Sequence, residues 1–384
     1  MLPYKHLFIA YFLLFIITSC KDDKGIIKQL PSQPEQIQNN YAEGFSVEKN
    51  DTFDILHIKN PWPKSEKSYK YALTSKENAF KVTLNKEDFD GILTTPIQKI
   101  VVTSTTHIPA LELLGVEQTL IGFPGTDYIS SEKTRARIDN GNIRELGKNE
   151  GINTEVLLEL RPDVVVAFGV DGTNKSMEII EKAGIPVIYN GDWVEKSPLA
   201  KAEWIKFFGA LYDKNTEAET IFNHIKTDYL EAKKIASKAT SKPTVLCGAM
   251  YKDVWYLPNG TSPEALFLKD ANTNYLWSET TETGSLALSF EAVFEKGKTA
   301  ELWLSPSYYK SYEDLEKSNS HYTKFDAFQN KKIYTFSNTT GKTGGVTYYE
   351  LGMSRPDLVL KDMIKICHPK LLTDYEPTFF KPLE

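Results

Sequence analysis

The sequence predicts an α/β fold of two parallel-sheet lobes joined by a long rigid α-helix, with an N-terminal β-hairpin extension. Three observations lead there. From Lys99 onward, short apolar strands alternate with helical segments, the pattern of a parallel sheet covered on both faces. One long helical pattern interrupts this alternation near residue 216, and the alternation resumes after Lys242-Pro243. Lastly, Asn153-Thr154-Glu155-Val156-Leu157-Leu158-Glu159 is matched in kind by Ser289-Phe290-Glu291-Ala292-Val293-Phe294-Glu295. Each starts with a capping residue, carries two glutamates and leads into an apolar strand, as an internal duplication would.

At the N-terminus, Lys5 and His6 form a short basic region and residues 7–17 are an unbroken apolar run. A helix needs about 20 residues to span a hydrocarbon core of ~30 Å, so this run has signal-peptide length instead. The Ile17-Thr18-Ser19-Cys20 that follows resembles the lipobox of bacterial lipoproteins, whose cysteine is lipidated and becomes the first mature residue. Residues 1–19 are therefore expected to be a lipoprotein signal peptide and Cys20 the site of a lipid anchor to the membrane. Lys21-Asp22-Asp23-Lys24 reads as a solvated tether, and it also looks like the surface-export signal of Bacteroidetes lipoproteins. A periplasm-facing anchor is expected, with outer-membrane or cell-surface display left open.

Residues 20–96 read as tether and β extension. Residues 21–40 are polar and rich in Gln, Pro and Asn, as in a flexible stalk. Two strands, Phe53-Asp54-Ile55-Leu56-His57-Ile58 and Tyr69-Lys70-Tyr71-Ala72-Leu73, flank a Pro61-Trp62-Pro63 corner, and a third is expected at 80–84.

The first lobe is assigned to 97–215. Its strand Ile100-Val101-Val102 stops at Thr103-Ser104-Thr105-Thr106, and a helix over 107–114 ends at Gly115. Strands at 120–122, 164–168 and 186–189 alternate with helices at 154–160 and 175–183. The joining helix is assigned to 216–241, with Ile221, Phe222, Ile225, Tyr229, Ala232 and Ile235 on one face. The second lobe, 242–384, repeats the grammar through strands at 244–246, 254–257, Leu302-Trp303-Leu304 and Ile333-Tyr334-Thr335-Phe336, and closes with a helix over 357–367.

Composition narrows the function. A hydrophobic share of 41% and a charged share of 25% suit a soluble globular chain. A net charge of −6 excludes nucleic acid as partner, because phosphate recognition needs a basic face. No Gly-x-Ser-x-Gly or His-Glu-x-x-His occurs, so no enzyme is expected. Thr339-Thr340-Gly341-Lys342-Thr343 approaches a phosphate-binding loop, but Phe336 holds the place of its leading glycine. Gly341, Gly344 and Gly345 read instead as a mobile loop at a cleft mouth. His57, His224, His321 and His368 lack metal-ligand spacing. Cys247 and Cys367 allow either a disulfide or two buried thiols.

Several segments together resemble one family. They are residues 99–115, Leu158-Glu159-Leu160-Arg161-Pro162-Asp163-Val164, the Leu288-Ser289-Phe290-Glu291 turn and the joining helix. The chain resembles the periplasmic binding proteins of ABC importers for cobalamin, ferric siderophores and haem. Residues 197–205 and 260–277 and Arg355-Pro356-Asp357-Leu358-Val359-Leu360 look like a lipoprotein branch found in Bacteroidetes. The resemblance covers roughly 97–384, and the order and spacing of its segments carry it. It implies a monomeric lipoprotein that captures a metal chelate between its lobes and delivers it to an ABC permease and ATPase complex. A surface receptor passing the chelate to another protein is the alternative, and an α/β enzyme a distant one. No resident cofactor or metal site is expected; the ligand carries the iron or cobalt.

In that family one surface glutamate on each lobe docks into permease arginines, and Glu155 and Glu291 match those positions. Either glutamate alone would also be explained as an acid complementing a helix dipole. Ligand candidates lie in loops after strands, at a cleft between lobes. The first lobe offers Thr105, Thr106, His107, Phe123, Phe168 and Trp193. The second offers Tyr251, Trp255, Tyr308, Tyr309 and Tyr348, with Tyr256, Trp277 and Tyr349 nearby. Such aromatics suit a broad, partly apolar ligand, and about half are expected to be packing residues. Only Arg135, Arg137, Arg144, Arg161 and Arg355 are present, which tilts the reading towards a corrinoid or a weakly charged ferric complex.

Overall fold

The computed structural model describes residues 35–37, 39–172, 174–282 and 284–384. The expected signal peptide, Cys20 and the Lys21-Asp22-Asp23-Lys24 run lie outside the described residues. Among those described, no helix is long and apolar enough to cross a membrane.

The extension is larger than a hairpin unit. Glu35–Ile37, Phe45–Lys49, Asp54–Lys59, Ser68–Ser75 and Gly91–Thr95 form a five-stranded sheet in chain order. Its first four strands are antiparallel, and the fifth runs parallel to the fourth. The strand expected at 80–84 is absent, because Ser75 accepts a hydrogen bond from Asn78 N and caps a helical turn, Lys76–Ala79. One face of the sheet, including Phe45, Leu56, Tyr71 and Leu93, packs into the same core as Ile100, Phe207 and Phe208. The extension is thus a layer of the first lobe, with each large apolar side chain contributing about 1.5–3 kcal/mol by burial.

In the first lobe the sheet order is Val187–Asn190, Val164–Phe168, Ile100–Val102, Leu120–Phe123, Arg144–Glu145, all parallel. Ile100, Val101 and Val102 are fully buried, which is why this central strand is continuously apolar. The second sheet runs Asn274–Tyr275, Thr244–Cys247, Leu302–Leu304, Ile333–Thr335, Lys381–Pro382, parallel except at the last, edge strand. Val254–Pro258, read as part of the alternation, belongs instead to an antiparallel ribbon with Ala249–Tyr251 and Ser285–Leu288. Strand order reverses between Ile100–Val102 and Val164–Phe168, and again between Thr244–Cys247 and Leu302–Leu304. Crevices open outside the carboxyl ends of strands at such reversals.

One helix, Asn215–Ala236, joins the lobes; its 22 residues span roughly 33 Å at 1.5 Å per residue. Ala218, Phe222 and Ile225 are buried in the first-lobe core, while Tyr229, Ala232 and Ala236 are buried in the second. A single rigid element therefore belongs to both cores.

Candidate functional site

At the first-lobe reversal, the Phe168 amide donates to Thr103 Oγ1 at 2.8 Å, tying two strand ends together. Ser104 caps the short turn Thr105–His107, accepting from Thr106 N at 3.3 Å. Thr106 Oγ1 then donates to Asp192 Oδ2 at 2.9 Å, which fixes the turn to the end of the 187–190 strand. Thr105 and Thr106 remain partly exposed. His107 does not reach the surface. It is fully buried against Phe208, and burial lowers its pKa to about 4 against the opposing charge of Asp192. It is a neutral packing residue rather than a cleft residue. Phe123 is likewise core. Phe168 and Trp193 are half-buried with ring centroids 5.3 Å apart, and they form the aromatic edge of this lobe.

In the second lobe, Trp255 is corrected in the same way. Its ring stacks on Trp303 at 5.4 Å and its Nε1 donates to Cys247 O at 3.0 Å, inside the core. Tyr309 and Tyr348 are half-buried, Tyr348 stacking on Phe336 at 4.4 Å. Tyr251 and Tyr308 are the open ones, 66% and 68% exposed, and Tyr308 lies 6.3 Å from Tyr349. Burial and the Tyr308 contact push the Tyr349 hydroxyl far above its ordinary pKa, so it stays a neutral donor.

Where the lobes meet, the helices Pro198–Glu203, Pro263–Asp270 and Thr347–Leu351 frame a hollow of about 200 Å³. It is lined by Lys201, Glu264, Phe267, Tyr348, Tyr349 and Met353, among others. Lys201 Nζ also donates to Trp193 O at 3.1 Å, connecting the hollow to the first-lobe aromatic edge. Beside it, the glycine loop is docked across the seam. Thr343 Oγ1 donates to Asp127 O at 2.8 Å, and Lys342 Nζ lies 3.4 Å from Asp139. A Cβ on Gly341 would sit 2.6 Å from Ser130 Cα, and one on Gly345 2.2 Å from Tyr128 O. Close approach of two backbones, rather than loop motion, accounts for these glycines.

Three of the five arginines are held by local hydrogen bonds. Arg135 donates to Thr126 O, Arg137 to Gln118 O and Leu120 O, and Arg355 grips Asp357 through two bonds. Arg161 ends a helix in the left-handed region and Arg144 is exposed on an edge strand. Cys247 and Cys367 are free thiols, and burial pushes that of Cys367 up to about 12. No group of three or more His, Cys, Asp or Glu among the described residues could hold a metal ion. Glu155 and Glu291 are exposed in the first turns of Thr154–Leu160 and Phe290–Gly297. The capping bonds are made by their neighbours, Asn153 to Val156 N at 3.1 Å and Ser289 to Ala292 N at 3.2 Å.

Two lobes with parallel sheets, matched glutamate-bearing helices and one helix through both cores form a recognisable set. A model of the periplasmic binding proteins matches residues 100–340. The chain belongs to that family. A lipoprotein of Methanocaldococcus jannaschii is 26% identical over 301 residues, 75% of this chain and 69% of that one. A possible iron-binding periplasmic solute-binding protein of Staphylococcus epidermidis has a similar fold, with a TM-score of 0.56 and 17% identity over 71% of this chain and 100% of that one. A periplasmic haem-binding protein of Pseudomonas aeruginosa gives 0.56 and 16% over 75% and 98%. In this periplasmic binding protein, sequence reasoning missed Lys201, Glu264 and Met353. They lie on helices or loops far apart in the chain, and only packing of the 198–203 and 263–270 helices brings them together.

Proposed function

We propose that this periplasmic binding protein is the substrate-binding lipoprotein of an ABC importer. It captures a metal chelate of the ferric-siderophore or cobalamin class between its lobes and delivers it to the membrane permease. The observation that carries this reading is the aromatic rim on both sides of the seam: Phe168 and Trp193 from one lobe, Tyr308 and Tyr349 from the other. Flat apolar rings with tyrosine hydroxyls suit a chelate that brings its own metal, whereas a bare ion would need a cluster of ligating side chains. Thr105 and Thr106 at the first-lobe strand end supply hydroxyls to the same rim, and Tyr251, Tyr309 and Tyr348 extend it in the second lobe. The likeness to a haem-binding protein supports the ligand class. Arg135, Arg137 and Arg355 are occupied locally, which favours a corrinoid or a weakly charged ferric complex over a highly anionic one. Cys20 anchors the protein by lipid, and Glu155 and Glu291 meet the permease.

Thermal unfolding with cobalamin, cobinamide, haem and several ferric siderophores tests this reading. A true ligand at 100 times its dissociation constant raises stability by about 2.7 kcal/mol. No shift with any of these chelates would overturn the proposed ligand class.

A further inference from the structure

Across the seam, the first residue to look at is Glu350. It lies in the second-lobe helix Thr347–Leu351 and is only 3% exposed, yet both its carboxyl oxygens are used by the first lobe. Ser130 N donates to Oε2 at 2.6 Å and Ser131 N donates to Oε1 at 2.9 Å. Ser131 begins the helix Glu132–Asp139, so a second-lobe carboxyl occupies amides at that helix's start. A second carboxyl converges on the same residue: Ser131 Oγ and Thr134 Oγ1 both donate to Glu112 Oε1 at 2.5 Å.

No cation compensates the pair among the described residues. From the 132–139 helix, Arg135 is drawn to Thr126 O and Asp139, and Lys133 to Glu117. The docked loop's Lys342 lies against Asp139. The 105–107 turn packed on the Glu350 helix brings only neutral, buried His107. Burial and the neighbouring Glu112 carboxyl both disfavour the charged form of Glu350.

We propose that this seam is a proton-coupled latch, in which Glu350 seated on Ser130 and Ser131 beside Glu112 takes up one proton as the lobes close and loses it as they part. Glu350 is a positioning residue: it sets how readily the lobes close around whatever the cleft holds. Rotating the lobes apart returns it to water and removes Glu112 from its side. The proposal rests on the two-lobed clamp reading but not on the identity of the ligand.

The direction follows from linkage. In the closed form, burial first and then the Glu112 charge raise the Glu350 pKa from 4.5 to about 7, against hydrogen bonds from Ser130 and Ser131 that lower it. A group whose pKa is higher in the closed form favours closure below that value and loses this contribution as pH rises through it. If the open form has the ordinary carboxylate value, lowering the pH from 8 to 5.5 raises the closed-to-open ratio by about 30-fold.

The test is spin-label distance measurement across the lobes of the ligand-free full chain, with labels at Glu178 and Lys317, at pH 5.5 and 8. Wild type is expected to gain the shorter distance at pH 5.5. Glu350→Gln removes the titrating group, so the distance distribution of the folded variant should not change between the two pH values. Glu112→Gln should shrink the pH response while leaving Glu350 in place. A wild type without pH response, a response of opposite sign, or an unchanged response in folded Glu350→Gln would overturn the latch. Because no ligand is present, failure of the chelate panel leaves this outcome unaffected, and failure here leaves the panel standing.

Discussion

A buried histidine with no hydrogen-bond partner is a residue-scale device with a pH signature. Neither ring nitrogen of His107 has a partner among the described residues, and the ring sits against Phe208 in the first-lobe core. Its folded pKa of about 4 lies below the ordinary 6.5, so the unfolded chain binds the proton more readily. Stability from this group is therefore full above about 6.5 and is lost as pH falls towards 4, by up to a few kcal/mol. His107→Phe keeps an aromatic ring of similar size and cannot take up a proton. Urea unfolding of wild type and this variant should diverge below pH 6.5, with the variant less sensitive to acid. Equal slopes of stability with pH would show that His107 is not the group responsible. From sequence, His107 was legible as the residue opening a helix after a strand, but not as core, because Phe208 covers it from a distant helix. Trp255 was ambiguous for a related reason. Trp255 and Tyr256 alternate on one strand, and two adjacent aromatics do not reveal which face packs on Trp303 and which stays open.

Among elements, the N-terminal sheet was the least legible. Hairpins announce themselves through local turns, whereas Gly91–Thr95 pairs in parallel with Ser68–Ser75 through a connection that carries only short turns. Its attachment to the lobe was also hidden, because it is made by carboxylates distant in sequence. Glu203 accepts from the amides of Asn40, Tyr41 and Ala42 at 2.9, 2.7 and 2.8 Å, and pairs with buried Lys206 at 2.9 Å. Glu195 accepts from the amides of Glu43 and Gly44 at 3.0 and 2.9 Å. Glu203→Ala leaves three amides without that acceptor and takes an acid partner from buried Lys206. Removing one member of a buried pair costs about 3–5 kcal/mol. Equilibrium unfolding should show a loss of that order, and limited proteolysis should cut more readily near residues 40–44. An unchanged unfolding midpoint would mean the sheet is held by its apolar face alone. The joining helix was legible because its periodic apolar face is a local signal. Its end was overshot, since the structure stops it at Ala236, the last of its buried residues.

Over the whole molecule, the duplication visible in the two glutamate-bearing segments became two sheets with the same parallel grammar and two exposed acids, one per lobe. Each glutamate precedes a strand at its sheet's reversal: Val164–Phe168 follows the helix of Glu155, and Leu302–Leu304 that of Glu291. Neither forms an ion pair with another described residue, and each helix is already capped by its neighbour, so fold stability does not require either acid. Because the helix Asn215–Ala236 is embedded in both cores, one rigid element links the lobes that carry the two acids. A partner carrying two matched cations would then read both lobes at once, and long-range attraction would speed the encounter. The proposed docking role predicts that Glu155→Lys with Glu291→Lys leaves chelate affinity and unfolding unchanged while uptake falls. Opposed like charges cost several kcal/mol, so the expected loss is on the order of a hundredfold or more. Either single reversal should give an intermediate loss. The measurement is uptake of a labelled chelate in cells expressing each variant, beside its affinity for the purified protein. Normal uptake in the double variant would remove these glutamates from the docking face, and a parallel fall in affinity would place their effect on the cleft instead.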